Sequence, residues 1–129
     1  MSESNFWKTV KRNLPSDCHA TRIENRHGGG VPDVHIVWNG FAFWIELKVC
    51  KGNKVNLSPQ QNAWLSAYSQ KGGISFILAK YPKQRSLYLF DGSQASEVFD
   101  KGIDAKTLYH GSCFKELFSK IGAWGLGSN

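Results

Sequence analysis

Three side chains have the types that could hold a divalent cation and act on a phosphoryl group: Asp33, Glu46 and Lys48. Twelve residues separate the two acids, and Glu46 and Lys48 are two apart in Glu46-Leu47-Lys48. Two carboxylates held ~4 Å apart repel by about 4 kcal/mol at an effective dielectric near 20. An adjacent ammonium relieves part of that repulsion, and a divalent cation relieves more. Carboxylates and backbone carbonyls suit Mg²⁺ or Mn²⁺. A metal so held lowers the pKa of a bound water and polarises a phosphoryl oxygen. The Lys48 ammonium can orient that water or neutralise charge developing in the transition state. The plainer alternative is an ion pair between Glu46 and Lys48 on a solvated strand face, which would contribute little.

The elements that must position these groups are two strands and a turn. Phe41 to Cys50 is aromatic and β-branched with few breakers, the clearest strand in the chain. Side chains alternate along a strand, so Trp44, Glu46, Lys48 and Cys50 share one face. Phe41, Phe43, Ile45, Leu47 and Val49 share the other. A strand this apolar should be covered on both faces, which argues against the solvated ion pair. Val34 to Trp38 reads as the preceding strand, and Asn39-Gly40 is a strong signal for a two-residue hairpin. The strands should then be antiparallel neighbours, in a register that brings Asp33 to the Glu46–Lys48 end.

Val31-Pro32-Asp33, twelve residues and then Glu46-Leu47-Lys48 resembles the PD-(D/E)XK nuclease signature. The similarity extends to the glycine run before Val31 and the apolar run into Glu46. It also takes in Leu57-Ser58-Pro59-Gln60-Gln61-Asn62-Ala63-Trp64, and Gly72-Gly73 before another apolar strand. It covers roughly Arg22 to Lys80. The closest resemblance is to the small stand-alone branch with VRR-NUC domains, Holliday junction resolvases and short phage-type endonucleases. It implies a restriction-endonuclease-like core with Asp33 and Glu46 as metal ligands for Mg²⁺ or Mn²⁺. The Leu47 backbone carbonyl would be a further ligand, and Lys48 and Gln61 would be catalytic. Relatives carry a third acid on the first helix or the next strand. Glu24 looks most like the phage-type arrangement, and Glu3 is the helix alternative. Glu24 could equally pair with Arg22 or Arg26.

Ser58 should cap a helix with Pro59 at its first position and Gln61 at the capping-box position. That helix should run to about Lys71 and end at Gly72-Gly73. Gln61, Trp64, Leu65 and Tyr68 share one helical face. A polar side chain on that stripe needs a partner. The functional partner would be Lys48, a metal-bound water or a phosphate; the structural one is the helix's own N-terminus. His27-Gly28-Gly29-Gly30 is a turn whose glycines would let a phosphate backbone approach, or simply serve a sharp loop. His27 and His35 read as ordinary polar residues, with His35 on the face of Asp33.

The remainder bounds the class. The chain of 129 residues reads as one domain, 1–129, with 41% hydrophobic residues, five Trp and eight Phe. Sixteen basic against ten acidic residues leave a net charge of +6, which favours a polyanionic partner, nucleic acid first. Arg22, Arg26, Lys51 and Lys54 are candidate DNA contacts. Cys18, Cys50 and Cys113 form no disulfide or zinc pattern and read as free thiols in a reducing, cytoplasmic setting. No apolar run approaches a membrane span and no signal peptide is visible.

The expected fold is α/β: a mixed central sheet of four or five strands flanked by helices, in the order α-β-β-β-α-β. The first helix should cover Asn5–Asn13 behind Ser4, and the next strand Cys18–Asn25. Further elements are expected at Ile74–Tyr81 (parallel to the Glu46 strand), Ser86–Phe90, Gln94–Gly102 and Ser112–Ile121, before a glycine-rich tail. The activity this implies is a metal-dependent DNA endonuclease, with branched DNA as the expected substrate, a homodimer as the expected assembly and no small-molecule organic cofactor. A general nicking or double-strand enzyme of phage type is the alternative, and a non-catalytic DNA-binding module of the same fold is another.

Overall fold

The computed structural model describes residues 1–23 and 29–127. The elements run α1 (Glu3–Arg12), β1 (His19–Arg22), β2 (Val34–Trp38), β3 (Phe41–Val49), α2 (Pro59–Gln70), β4 (Ser75–Tyr81), β5 (Ser86–Asp91), α3 (Ala95–Lys101), β6 (Tyr109–Gly111) and α4 (Phe114–Gly127). Six strands form one sheet in sequence order, β1-β2-β3-β4-β5-β6. Only β3 and β4 pair in parallel, joined through α2; the other neighbours are antiparallel. The mixed α/β sheet is as expected, but it has six strands where four or five were predicted. The unforeseen one is β6, three residues without an alternating pattern.

The β2–β3 hairpin fixes the register that matters. Asn39 and Gly40 both have positive φ, 52° and 81°, as a two-residue hairpin turn of the type that matches strand twist requires. Trp38 then pairs with Phe41 and Val34 with Ile45. Continued by one residue, this register sets Asp33 opposite Glu46.

Alternation along the strands builds two cores. Val34, Ile36, Phe43, Ile45, Leu47, Phe76 and Leu78 pack beneath Phe6 and Val10 of α1 and Leu117, Phe118 and Ile121 of α4. The other face carries Cys50, Ile77, Ala79 and Phe90 beneath Leu65 of α2 and Ala95 and Val98 of α3. Glu46 and Lys48 belong to this second face by parity with Cys50.

Several boundaries differ from the sequence reading. Ser2, not Ser4, caps α1: its Oγ accepts from Asn5 N at 3.1 Å, so Glu3 lies inside the first turn. The first strand is shorter, His19–Arg22, and Glu24, Asn25, Arg26, His27 and Gly28 lie outside the described residues. The helix expected at Gln94–Gly102 is α-helical over Ala95–Lys101, with 3₁₀ turns at Gly92–Gln94 before it and Gly102–Asp104 after it. The supposed glycine tail is helical as far as Gly127. There the missing side chains serve close packing: a Cβ on Gly122 would press on Trp38 at 3.4 Å, and one on Gly125 would overlap the Phe41 ring. No described helix is long and apolar enough to cross a membrane.

Candidate active site

Asp33 sits at the entrance to β2. Its backbone carbonyl accepts from Ile23 N at 2.7 Å, continuing the β1–β2 pairing by one step. Its side chain turns toward β3, where Oδ2 accepts from Leu47 N at 2.8 Å. The carboxylate is thus tied to the strand carrying Glu46 and Lys48. Glu46 is 1% exposed and Lys48 7%, so the solvated ion pair is excluded. Lys48 Nζ lies 3.6 Å from Glu46 Oε2 and 4.0 Å from Glu3 Oε2, which reaches in from the first turn of α1.

Gln61 fills the cap position expected of it, and its other end meets an acid on the strand that the sequence reading did not name. Its side-chain carbonyl accepts from Ser58 N at 2.9 Å, and Ser58 Oγ accepts from Gln61 N at 3.1 Å, closing a capping box. Its Nε2 donates to Glu46 Oε2 at 2.9 Å. Of the partners expected for Gln61, Lys48 is not the one it bonds on the strand; that partner is Glu46. A side-chain amide has both a donor and an acceptor end, so one residue can serve the cap and the acid together.

The electrostatics are those of acids forced together out of water. Burial chiefly, and then the Asp33 charge, push Glu46 up from the ordinary 4.5 to about 9, with Lys48 opposing. Asp33 is also raised by burial, held back by the Leu47 N–H and by the charges of Lys48 and Arg22. Glu3 is raised by partial burial, against the pull of Lys48, Arg22 and Lys51. Only as the neutral acid can Glu46 hydrogen-bond the Asp33 carboxylate. Among the described residues Glu46 Oε1, though buried, has no hydrogen-bond partner. A buried, unpartnered carboxylate oxygen on an acid coupled to a second carboxylate is a donor set suited to a cation.

Among the described residues no group of three or more His, Cys, Asp and Glu side chains is disposed to hold a metal ion. Magnesium does not need one, since it is commonly held by one or two carboxylates with waters and substrate oxygens completing the shell. The Asp33–Glu46 pair fits that pattern.

The other candidates fall around this centre. Arg22 is half-buried over the Trp7 ring, 5.5 Å from its centroid, and its charge acts on Asp33 and Glu3. Lys51 and Lys54 are exposed and bridge through paired backbone hydrogen bonds of 3.1 and 3.0 Å. Arg26, Glu24 and His27 lie outside the described residues. His35 packs against Trp44, ring centroids 4.8 Å apart, and Trp44 meets Trp64 of α2. A cavity of about 690 Å³, lined by Trp38, Asn39, Phe114 and Phe118, lies on the α4 side of the sheet and includes none of these residues. The link the sequence did not disclose is Asp33 to the Leu47 N–H, which depends on a side chain crossing between strands.

No family model matches the chain. It is similar to a Crossover junction endodeoxyribonuclease Hjc of Sulfolobus acidocaldarius, 33% identical over 89 residues. The match covers 67% of this chain and spans 62% of the length of that relative. Among solved structures, Hjc of Archaeoglobus fulgidus, a Holliday junction resolvase from an archaeal hyperthermophile, superposes with a TM-score of 0.55 at 19% identity. That alignment covers 71% of this chain and 74% of the other, and shows the fold to be shared. The sequence similarity agrees with the Holliday junction resolvase part of the resemblance read from the motifs, and the structural one agrees with its fold.

Proposed function

We propose that this protein is a divalent-metal-dependent DNA endonuclease acting on branched DNA, four-way junctions above all. One observation carries the reading: the half-buried Asp33 and the buried Glu46 lie close enough to act on each other's charge, with the Lys48 ammonium 3.6 Å from Glu46 Oε2. A purely structural core has little reason to hold such a pair, because burying like charges is costly. The similarity to Hjc supports a junction as substrate, and the net charge of +6 supports a polyanion.

In this reading Asp33 and Glu46 would hold Mg²⁺ or Mn²⁺ together with the Leu47 carbonyl, and Glu3 or Glu24 would contribute through water. The ion, when bound, activates a water toward phosphorus and offsets charge on the phosphoryl oxygens. The Leu47 N–H fixes the aim of Asp33, and Gln61 fixes that of Glu46. Lys48 supplies a fixed positive charge beside the reacting phosphate. No protein hydroxyl or thiol acts as nucleophile. Lys51, Lys54, Arg22 and Arg26 would hold the phosphate backbone, and a symmetric homodimer would make the paired cuts that a four-way junction offers. The protein would work on DNA inside the cell.

The test is to incubate the purified protein with linear duplex, single-stranded, flap and four-way DNA, each with Mg²⁺, Mn²⁺ or chelator. Metal-dependent cutting concentrated on the four-way substrate is expected. Equal cutting of linear duplex would identify a general endonuclease. Binding without cutting in either metal would identify a non-catalytic module.

A further inference from the structure

Gly30 lies three residues before Asp33, with φ of +76°. Its backbone is pressed against the first turn of α2. A Cβ at Gly30 would overlap the carbonyl oxygen of Gln60 and lie 2.8 Å from Gln61 N. These are backbone atoms of a capped helix, which cannot rotate aside as a long side chain can. Gln61 N is also the group held by Ser58 Oγ, so the contact falls on the capping box itself.

Two paths leave this contact, and both end at the acid pair. Along the loop, Gly30 leads through Val31 and the buried Pro32 to Asp33. Along the helix turn, Gln61 reaches Glu46 Oε2 at 2.9 Å. The loop carrying one carboxylate therefore rests on the turn that aims the other. A methyl group at position 30 must lift the loop or tilt the first turn, and either movement changes how Asp33 and Glu46 face each other.

We infer that Gly30 is a positioning residue: its contact with the Gln60–Gln61 peptide sets the separation of the two carboxylates and hence their grip on a divalent cation. The inference rests on the proposed metal-binding role of Asp33 and Glu46. It does not require Gly30 to touch substrate or metal.

The experiment compares Gly30→Ala with Gly40→Ala and Gly72→Ala. All three glycines have positive φ, +76°, +81° and +87°, so each variant carries a similar backbone penalty. A Cβ at Gly40 or Gly72 meets nothing within 4 Å. Calorimetric titration with Mn²⁺, beside thermal denaturation in chelator, separates positioning from general destabilisation. All three variants should lose thermal stability, but only Gly30→Ala should lose Mn²⁺ affinity, by about tenfold or more. Its turnover on cleavable DNA should fall while its KM for DNA stays near that of the wild type.

A folded Gly30→Ala protein with wild-type Mn²⁺ affinity would overturn the inference. Wild-type protein that takes up no Mn²⁺ would instead overturn the metal-binding reading beneath it. If Gly30→Ala does not fold, hydrogen exchange on the wild type decides. Added Mg²⁺ should slow exchange in the segments 29–33 and 58–62 over the same concentration range. Slowing in the first segment alone would refute the coupling.

Discussion

Gln61 on α2 donates to Glu46 on β3 at 2.9 Å while its carbonyl end closes the capping box of its own helix. The helix start and the aim of a buried acid are therefore set by one side chain. Replacing Gln61 by Ala removes both. Cleavage should fall by about 10- to 100-fold, as expected for loss of a group that orients a metal ligand. Stability should fall by about 1 kcal/mol from the cap. Ser58→Ala should cost a similar ~1 kcal/mol yet leave most of the activity, because Gln61 Nε2 can still reach Glu46. Chemical denaturation and single-turnover cleavage of the two variants check this pairing.

Burial and the neighbouring Asp33 raise Glu46 to about 9. The folded, metal-free protein then keeps this proton across neutral pH, whereas an unfolded chain releases it near the ordinary 4.5. The stability contributed by the group is full below the unfolded pKa and is lost as pH rises toward about 9. In chelator, thermal stability should therefore decline as pH rises between 4.5 and about 9, and Glu46→Gln should flatten that decline. Metal binding must displace the proton, so Mg²⁺ affinity should rise with pH and about one proton should be released per ion. Calorimetry in buffers of different ionisation enthalpy measures that release.

Lys48 is 7% exposed and shares its surroundings with Glu46 and Glu3. In the proposed reaction its charge would serve the reacting phosphate, while it would repel a bound cation. Lys48→Ala should thus keep or tighten Mn²⁺ binding while cleavage drops by about 100-fold or more. Parallel loss of metal affinity and activity would show that Lys48 acts by supporting the acids.

Glu3 is the third acid that the described residues bring to the site, 4.0 Å from Lys48 Nζ. Glu3→Gln should lower cleavage by about tenfold. Its effect on stability should stay within about 1 kcal/mol, since it alters one charge at a helix N-terminus. Cleavage assays beside Glu24→Gln decide between the two candidates: loss in Glu24→Gln with none in Glu3→Gln would give the role to Glu24.

The legible parts of this molecule are those encoded locally. Asn39-Gly40 admits a two-residue turn with positive φ, and that turn alone fixes the pairing that sets Asp33 opposite Glu46. Ser58, Pro59 and Gln61 announce the start of α2 for the same reason, since capping is a matter of three or four adjacent residues. What sequence could not disclose depends on distant partners. The glycines of α4 read as a loose tail until Trp38 and Phe41 are seen packed against them. β6 is a strand only because Leu89 and its neighbours offer an edge to pair with. At the site, the alternation of β3 gave Glu46 and Lys48 a common face, but nothing local showed Gln61 turning to Glu46 rather than Lys48.

The most direct test of the whole account is single-turnover cleavage of a four-way DNA junction in Mg²⁺ or Mn²⁺ by Asp33→Asn and Glu46→Gln beside the wild type. Both variants are nearly isosteric and should fold, and both should still bind the junction. The account predicts that the wild type cuts and that neither variant cuts detectably. Cutting at the wild-type rate by either folded variant would contradict it.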